Sequence, residues 1–92
     1  MVKERTRLKK PRKYKVLIHN DDYTTMEFVV YVLEVVLHHS PASASRIMLH
    51  IHKAGIGVAG LYTRDIAETR VEQVMQLARE AGHPLQCSME PE

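Results

Sequence analysis

Two kinds of hydrophobic period alternate along this chain, and their order restricts its possible folds more than any other feature. Residues 14–19 are rich in β-formers, two segments with a helical period follow, and residues 56–62 form a second β-rich segment. A third helical segment and a final alternating segment complete the order β-α-α-β-α-β. A chain of 92 residues holds one domain. We therefore predict the α+β class, with a three-stranded antiparallel sheet packed on three helices.

Capping residues mark the ends of the first two predicted helices. Thr24 and Glu27 have the spacing of a capping box, in which each side chain satisfies a free backbone amide, and predict a first helix that runs to about Leu37. Ser40 is the predicted cap of the second helix, and Gly55 is its predicted end. The apolar face of the second helix is predicted to comprise Ala44, Ile47, Met48 and Ile51.

The third predicted helix and the last strand complete the core. Thr63 or Asp65 is the predicted cap of the helix, and Gly82 is its predicted end. The residues predicted to face inward on this helix are Ile66, Ala67, Val71, Val74, Met75 and Ala78. The strand that follows alternates apolar and polar residues, and its predicted inward set is Leu85, Cys87 and Met89.

The net charge of +2 conceals a division between a basic and an acidic part. Residues 1–15 contain eight basic residues and one acidic residue, a net +7, whereas the remainder contains five basic and ten acidic residues, a net −5. We predict that residues 1–12 form a flexible basic arm and that residues 13–92 form the core domain. The arm leaves open an alternative function, a small nucleic-acid-binding domain that contacts phosphates through it. The acidic body, without an aromatic platform or a basic recognition helix, argues against that alternative.

Six histidines raise the question of a metal site. The close pairs, His38 with His39 and His50 with His52, lack the i,i+4 spacing that puts two ligands on one helical face. We therefore predict no metal, no cofactor and no catalytic residue, and keep a metal-dependent enzyme built on these histidines as a second alternative. The single cysteine, Cys87, has no disulfide partner within the chain and is predicted to be a buried, inert thiol.

Neither a signal peptide nor a membrane span is predicted. Lys and Arg surround the first apolar residues, and the longest apolar stretch is far shorter than the ~20 residues that a span requires. A cytoplasmic location is therefore expected.

The segment around the turn after the first strand contains two residues, Asp21 and Tyr23, that a turn and a helix cap do not explain. It is residues 19–30, HNDDYTTMEFVV, and it closely resembles the signature of the ClpS family of N-degron adaptors. The resemblance continues in residues 46–52 (RIMLHIH), 63–69 (TRDIAET) and 82–87 (GHPLQC). These motifs follow the family's order and spacing over nearly all of residues 14–90.

The resemblance implies an adaptor without enzymatic activity. Such a protein binds substrates whose free N-terminal residue is bulky and hydrophobic (Leu, Phe, Tyr or Trp). It delivers them to an AAA+ unfoldase of the ClpA or ClpC kind for degradation by ClpP. The implied partners are N-degron peptides and proteins and the N-terminal domain of the unfoldase. The implied state is a monomer that binds neither nucleic acid nor membrane.

The resemblance also implies roles for individual residues. The α-amino group of the substrate is assigned to Asn20, Asp21 and His52. The hydrophobic pocket is assigned to Met26, Val29, Met48, Ile51 and Leu85, and the rim and the peptide backbone are assigned to Asp22 and Thr24. The unfoldase contact is assigned to Asp65 and Arg70. The first assignment agrees with the chemistry, because a protonated amine has three donors and needs acceptors around it.

Three positions bear on specificity or depart from the family pattern. Met26 stands at the family's gatekeeper position and is expected to exclude β-branched Ile and Val. Ile51 stands where many members have valine, which adds a methylene to the pocket wall and predicts a changed preference among the largest side chains, in a direction that the sequence leaves open. Thr25 stands where proline is common, which is predicted to affect only the start of the first helix.

Overall fold

The strands and helices follow the predicted β-α-α-β-α-β order, and the α+β class is confirmed. The computed structural model describes residues 11–92, and its elements are β1 (Lys13–His19), α1 (Met26–Val35), α2 (Pro41–Ala54), β2 (Ile56–Thr63), α3 (Arg64–Ala81) and β3 (Gln86–Pro91). Residues 1–10 of the predicted arm lie outside the described residues. Pro11 and Arg12 are exposed and belong to no regular element.

β1 is the central strand of the sheet, whose order is β2-β1-β3. Both pairs of strands are antiparallel, and the pairing of β1 with β2 shifts its register between Val16 and Leu17. Val16 and Ile18 are completely buried and belong to the same core cluster as buried residues of all three helices. The helices therefore cover one face of the sheet, as the α+β layer arrangement requires.

The start of α1 differs from the prediction by one residue. The cap is Thr25, whose hydroxyl oxygen accepts a hydrogen bond from the amide of Phe28 at 3.1 Å. Thr24 instead donates its hydroxyl to Asp21, at 2.7 Å. The prediction that Thr24 and Glu27 form a capping box is therefore wrong, because a nearby carboxylate competes for the Thr24 hydroxyl.

α1 also ends earlier than predicted, at Val35 instead of about Leu37. Val36 and Leu37 nevertheless lie in the core, with 6% and 5% of their surface exposed. His38 then takes a positive φ of 60°, which is outside the helical region. The apolar period of the sequence thus continues past the helix, because residues of the following turn are also buried.

The predicted ends of α2 and α3 are confirmed. Ser40 caps α2 by accepting a hydrogen bond from the amide of Ser43 at 3.2 Å. Gly55 and Gly82 end the two helices with φ values of 89° and 78°, in the left-handed region that glycine enters without strain. Thr63 is the N-cap of α3, although its side chain makes no capping hydrogen bond.

The buried stripe of α3 differs from the prediction at two positions. Its apolar members that are buried or half-buried are Ala67, Val71, Val74, Met75, Leu77 and Ala78, of which Leu77 was not predicted. The prediction is wrong for Ile66, which is 45% exposed because it lies about 100° around the helix from Ala67, in the first turn. No helix among residues 11–92 is long and apolar enough to cross a membrane.

Candidate functional site

The loop between β1 and α1 is organised around the carboxylate of Asp21. One oxygen of this carboxylate accepts hydrogen bonds from the amides of Tyr23 and Thr24, at 2.8 and 2.6 Å. The other oxygen accepts the hydroxyl of Thr24 at 2.7 Å. Three donors from the next residues thus hold one side chain in place, as is common for an aspartate that stabilises a turn.

The same contacts keep Asp21 charged. Its partial burial by itself would raise its pKa, but the hydrogen bonds from Thr24 and Tyr23 favour the carboxylate and lower the pKa below the ordinary value of 3.8. A positive charge on His83 acts in the same direction. At neutral pH the loop therefore carries a negative charge that hydrogen bonds hold in a defined position.

This loop forms one side of a pocket between α1 and α2. The cavity has a volume of about 280 Å³ and is lined by Asn20, Asp21, Asp22, Thr24, Met26, Val29, Met48, Ile51 and His52. Val29 and Ile51 are only 8% and 2% exposed, whereas Met26 is 45% exposed. The pocket therefore has an apolar floor between the helices, a polar rim from the loop and a methionine at its mouth.

A backbone hydrogen bond brings the loop and the end of α2 together. The amide of Asn20 donates to the carbonyl of Gly55 at 2.9 Å, and Gly55 is the residue that ends α2. His52 lies in the last turn of α2 and lines the same pocket as Asn20 and Asp21. An amide oxygen, a carboxylate and a neutral imidazole nitrogen can all accept hydrogen bonds from a cationic group.

The pocket contains every residue that the resemblance assigned to the substrate, with one exception. Leu85 is not among the residues that line the cavity. It is 2% exposed and belongs to the core cluster. It directly precedes β3 and packs with the apolar residues of the interior. The assignment of Leu85 to the pocket wall therefore stays a prediction.

Arg70 lies in a second cleft, between the end of α1 and the outer side of α3. This cavity has a volume of about 410 Å³ and is lined by Val35, Val36, His38, Arg70, Gln73, Gln76 and Leu77. The guanidinium carbon of Arg70 is 5.9 Å from the centre of the Tyr62 ring, and Nη1 donates to Gln73 at 3.2 Å. Its Nε is buried and has no hydrogen-bond partner among residues 11–92. The cleft therefore contains a cation that is held against the Tyr62 ring and Gln73.

Asp65, the other residue assigned to the unfoldase, does not share that cleft. It is exposed in the first turn of α3, where the helix dipole favours a negative charge. Five positions separate Asp65 from Arg70, which places the two side chains about 140° apart around the helix axis. The two charges are therefore separate contact points on one helix.

Cys87, His19 and His39 have structural roles. Cys87 is 7% exposed, and burial raises the pKa of its thiol to about 12, so the prediction of a buried, inert thiol is confirmed. His39 is hydrogen-bonded to the carbonyl of Ala59 at 2.5 Å, and His19 to the hydroxyl of Ser88 at 2.9 Å. Among residues 11–92, no group of three or more His, Cys, Asp or Glu side chains is arranged to hold a metal ion.

A histidine near the loop was not singled out from the sequence. His83 follows the end of α3, and its ring centre lies 4.4 Å from that of Phe28 on α1. The two tilted rings join the α3–β3 connection to the first turn of α1, close enough to the loop for the charge of His83 to act on Asp21. No local sequence signal predicts this contact, because it depends on how α1 and α3 are placed on the sheet.

Comparison with known proteins identifies the family. Residues 9–88 match the family model described as "ATP-dependent Clp protease adaptor protein ClpS". An ATP-dependent Clp protease adapter protein ClpS from Maricaulis maris is 58% identical over 90 residues, which cover 98% of this chain and 83% of that protein. The protein of the same name from Desulfatibacillum aliphaticivorans is 59% identical over 83 residues, which cover 90% of this chain and 80% of that protein.

A solved structure shares the fold. It is the structure of Agrobacterium tumefaciens ClpS2 bound to L-phenylalaninamide, which matches with a TM-score of 0.86 and 43% sequence identity. The match covers 90% of this chain and 100% of that chain. Sequence and fold therefore agree: this chain belongs to the ClpS family of Clp protease adaptors, which are adaptor proteins and not enzymes.

Proposed function

We propose that this chain binds the free N-terminal residue of N-degron substrates, where that residue is Leu, Phe, Tyr or Trp. It delivers these substrates, in the cytoplasm, to a ClpA- or ClpC-type AAA+ unfoldase for degradation by ClpP. The observation that carries the proposal is the pocket between α1 and α2, which combines an apolar floor with three acceptors on its rim. The Agrobacterium tumefaciens relative is bound to L-phenylalaninamide, an aromatic residue with a free α-amino group.

The α-amino group of the substrate is held by Asn20, Asp21 and His52. This group is mostly protonated at neutral pH, since the pKa of a free α-amine is about 7.7–8.0. It then has three N–H donors and no acceptor. Asp21 supplies the negative charge, and the other two residues supply neutral acceptors. Each charge-assisted hydrogen bond contributes about 1.5–3 kcal/mol, so acetylation, which removes the charge and two of the donors, abolishes recognition.

The side chain of the N-terminal residue enters the apolar cavity. Val29, Met48 and Ile51 surround it, and burial of a Leu or Phe side chain contributes about 1.5–3 kcal/mol. Together with the bonds to the amine, and after the costs of association, this gives a roughly micromolar Kd. Met26 lies at the mouth and excludes Ile and Val, whose branch at Cβ is closest to the peptide backbone. Asp22 and Thr24 contact that backbone.

Delivery uses α3 and the basic N-terminal residues. The guanidinium of Arg70 lines the cleft between the end of α1 and α3, and carboxylates are its best acceptors. Asp65, exposed at the start of the same helix, is a second contact for the N-terminal domain of the unfoldase. Residues 1–12 take part in the transfer that follows, and the adaptor acts as a monomer.

Fluorescence anisotropy with peptides that differ only at their first residue tests the proposal. The first residues are Leu, Phe, Tyr, Trp, Ile and Met, and an N-acetylated Leu peptide is the control. Roughly micromolar binding of the four bulky residues, lost on acetylation, is the expected result. If none of the peptides binds, the pocket does not recognise N-degrons and the proposal fails.

A further inference from the structure

A glycine on β2 lies against the floor of the pocket. Gly57 is buried and pairs with Ile18, which is completely buried on the central strand. A Cβ atom built at Gly57 would lie 2.7 Å from Cγ1 and 3.7 Å from Cδ1 of Ile51, and 3.2 Å from the ring of His50. The first of these distances is far below a van der Waals contact. The ethyl branch of Ile51 therefore fills the space that any other residue at position 57 would need.

Ile51 has little freedom to give way. It lies on α2, where a β-branched side chain has one strongly preferred χ1 rotamer. It is 2% exposed and packed in the main core cluster, whose interior has the density of an organic solid. The open volume beside Ile51 is the pocket itself, which this residue lines. A side chain added at Gly57 would therefore drive Ile51 toward the cavity of about 280 Å³.

We propose that Gly57 determines the depth of the pocket, and so its specificity, by receiving the ethyl branch of Ile51. The absence of a side chain at position 57 leaves room for Cγ1 and Cδ1 of Ile51 beside β2. It thereby keeps the cavity open for the largest N-terminal residues, Phe, Tyr and Trp. Gly57 touches no substrate and acts through Ile51 as a positioning residue. This inference rests on the proposed function, since it concerns the side chain that the same pocket accepts.

The Gly57→Ala variant tests the inference with peptides that begin with Leu, Phe, Tyr or Trp. We expect the loss of affinity to increase with the size of the first residue, by about tenfold or more for Trp and much less for Leu, since one methylene in an apolar pocket discriminates about 10–200-fold. Gly60→Ala is the matched control. It adds the same methyl group to the same strand and also meets a close neighbour, the Tyr62 ring at 2.6 Å, but neither residue lines the pocket.

Shortening Ile51 provides the complementary arm. Ile51→Ala removes both Cγ1, which lies 2.7 Å from the added Cβ, and Cδ1. In the Ile51→Ala background, Gly57→Ala should therefore change Trp affinity by no more than about threefold. The same four proteins are compared by thermal unfolding. Gly57→Ala is expected to lower Tm in the parent but not in the Ile51→Ala background. This readout needs no peptide and remains informative if Gly57→Ala is too unstable for binding measurements.

The outcomes separate this inference from the proposed function. If the parent chain binds no peptide, the proposed function fails, whereas a relieved Tm loss still establishes the contact. If the parent binds and Gly57→Ala binds all four peptides equally well, or loses all four equally, Gly57 does not determine specificity. Additive effects of the two substitutions on Tm would show that Gly57 and Ile51 are not coupled, and would overturn the inference.

Discussion

The hydroxyl and the amide of Thr24 both donate to the carboxylate of Asp21, at 2.7 and 2.6 Å. The charge that we assign to the substrate amine is therefore oriented before the substrate arrives. A group that is already ordered loses little entropy on binding, so more of the interaction energy contributes to affinity. The carboxylate retains acceptor capacity for the amine, because two oxygens offer about four lone-pair sites and three are in use here.

Removal of the Asp21 carboxylate should weaken peptide binding by more than about tenfold, since it deletes the charge partner of the amine and the bonds that hold the loop. Anisotropy of a labelled Leu peptide with the Asp21→Ala variant measures this. Glu72→Ala removes an exposed carboxylate from α3 and should have no effect. An unchanged affinity for Asp21→Ala would remove this residue from the site.

Asp21 also predicts sensitivity to acid. Its pKa is lower in the folded protein than the ordinary value of 3.8, so near that pH the unfolded chain binds the proton more readily. The stability that Asp21 contributes is therefore present above about pH 4 and is lost as the pH falls through its folded pKa. Urea unfolding at about pH 6 and about pH 3 checks this. Asp21→Asn should lose less stability between these conditions than the parent, and equal losses would contradict the prediction.

His52→Ala should weaken peptide binding, because it removes one of the three acceptors that we assign to the ammonium group of the substrate. Anisotropy of a labelled Leu peptide measures the change. His52→Asn, which keeps an amide acceptor, should retain more of the affinity than His52→Ala. His50→Ala removes an exposed imidazole of the same helix that does not line the pocket, and should have no effect. Equal affinity of His52→Ala and the parent would exclude His52 from the site.

Met26→Ala should admit peptides that begin with Ile or Val, because it widens the mouth of the pocket where the β-branch lies. Met26 is 45% exposed there, so the substitution opens the entrance at little cost to the core. Competition of unlabelled Ile and Val peptides against a labelled Leu peptide measures the change. Met48→Ala alters another wall of the same pocket and is the control. Continued rejection of Ile and Val by Met26→Ala would place the gate elsewhere.

Arg70→Ala should weaken binding of the unfoldase N-terminal domain by about tenfold or more and leave peptide binding unchanged. The guanidinium is half-buried against Tyr62, and its cleft shares no lining residue with the peptide pocket. Calorimetric titration with the isolated domains of ClpA and ClpC gives the effect for each partner. Arg79→Ala removes an exposed cation near the end of the same helix. If Arg79→Ala weakens the complex as much as Arg70→Ala, the contact is not specific to Arg70.

Local chemistry made the helix ends predictable. Ser40 caps α2, and Gly55 and Gly82 end two helices, because each of these effects depends on the residue and its immediate neighbours. The start of α1 was not predictable in the same way. Two threonines follow one another there, and the choice of Thr25 over Thr24 as the cap depends on which hydroxyl the carboxylate of Asp21 takes.

The order of the elements and the α+β class could be predicted from the sequence alone. Through its motifs, the sequence also predicted nine residues that meet in the pocket. The packing of the helices on the sheet was needed to show that Leu85 lies in the core, that Arg70 has a cleft separate from Asp65, and that Ile51 extends over Gly57. Period and capping depend on neighbours along the chain, which the sequence states directly. Contacts between elements depend on how the helices pack on the sheet, and no local pattern encodes that geometry.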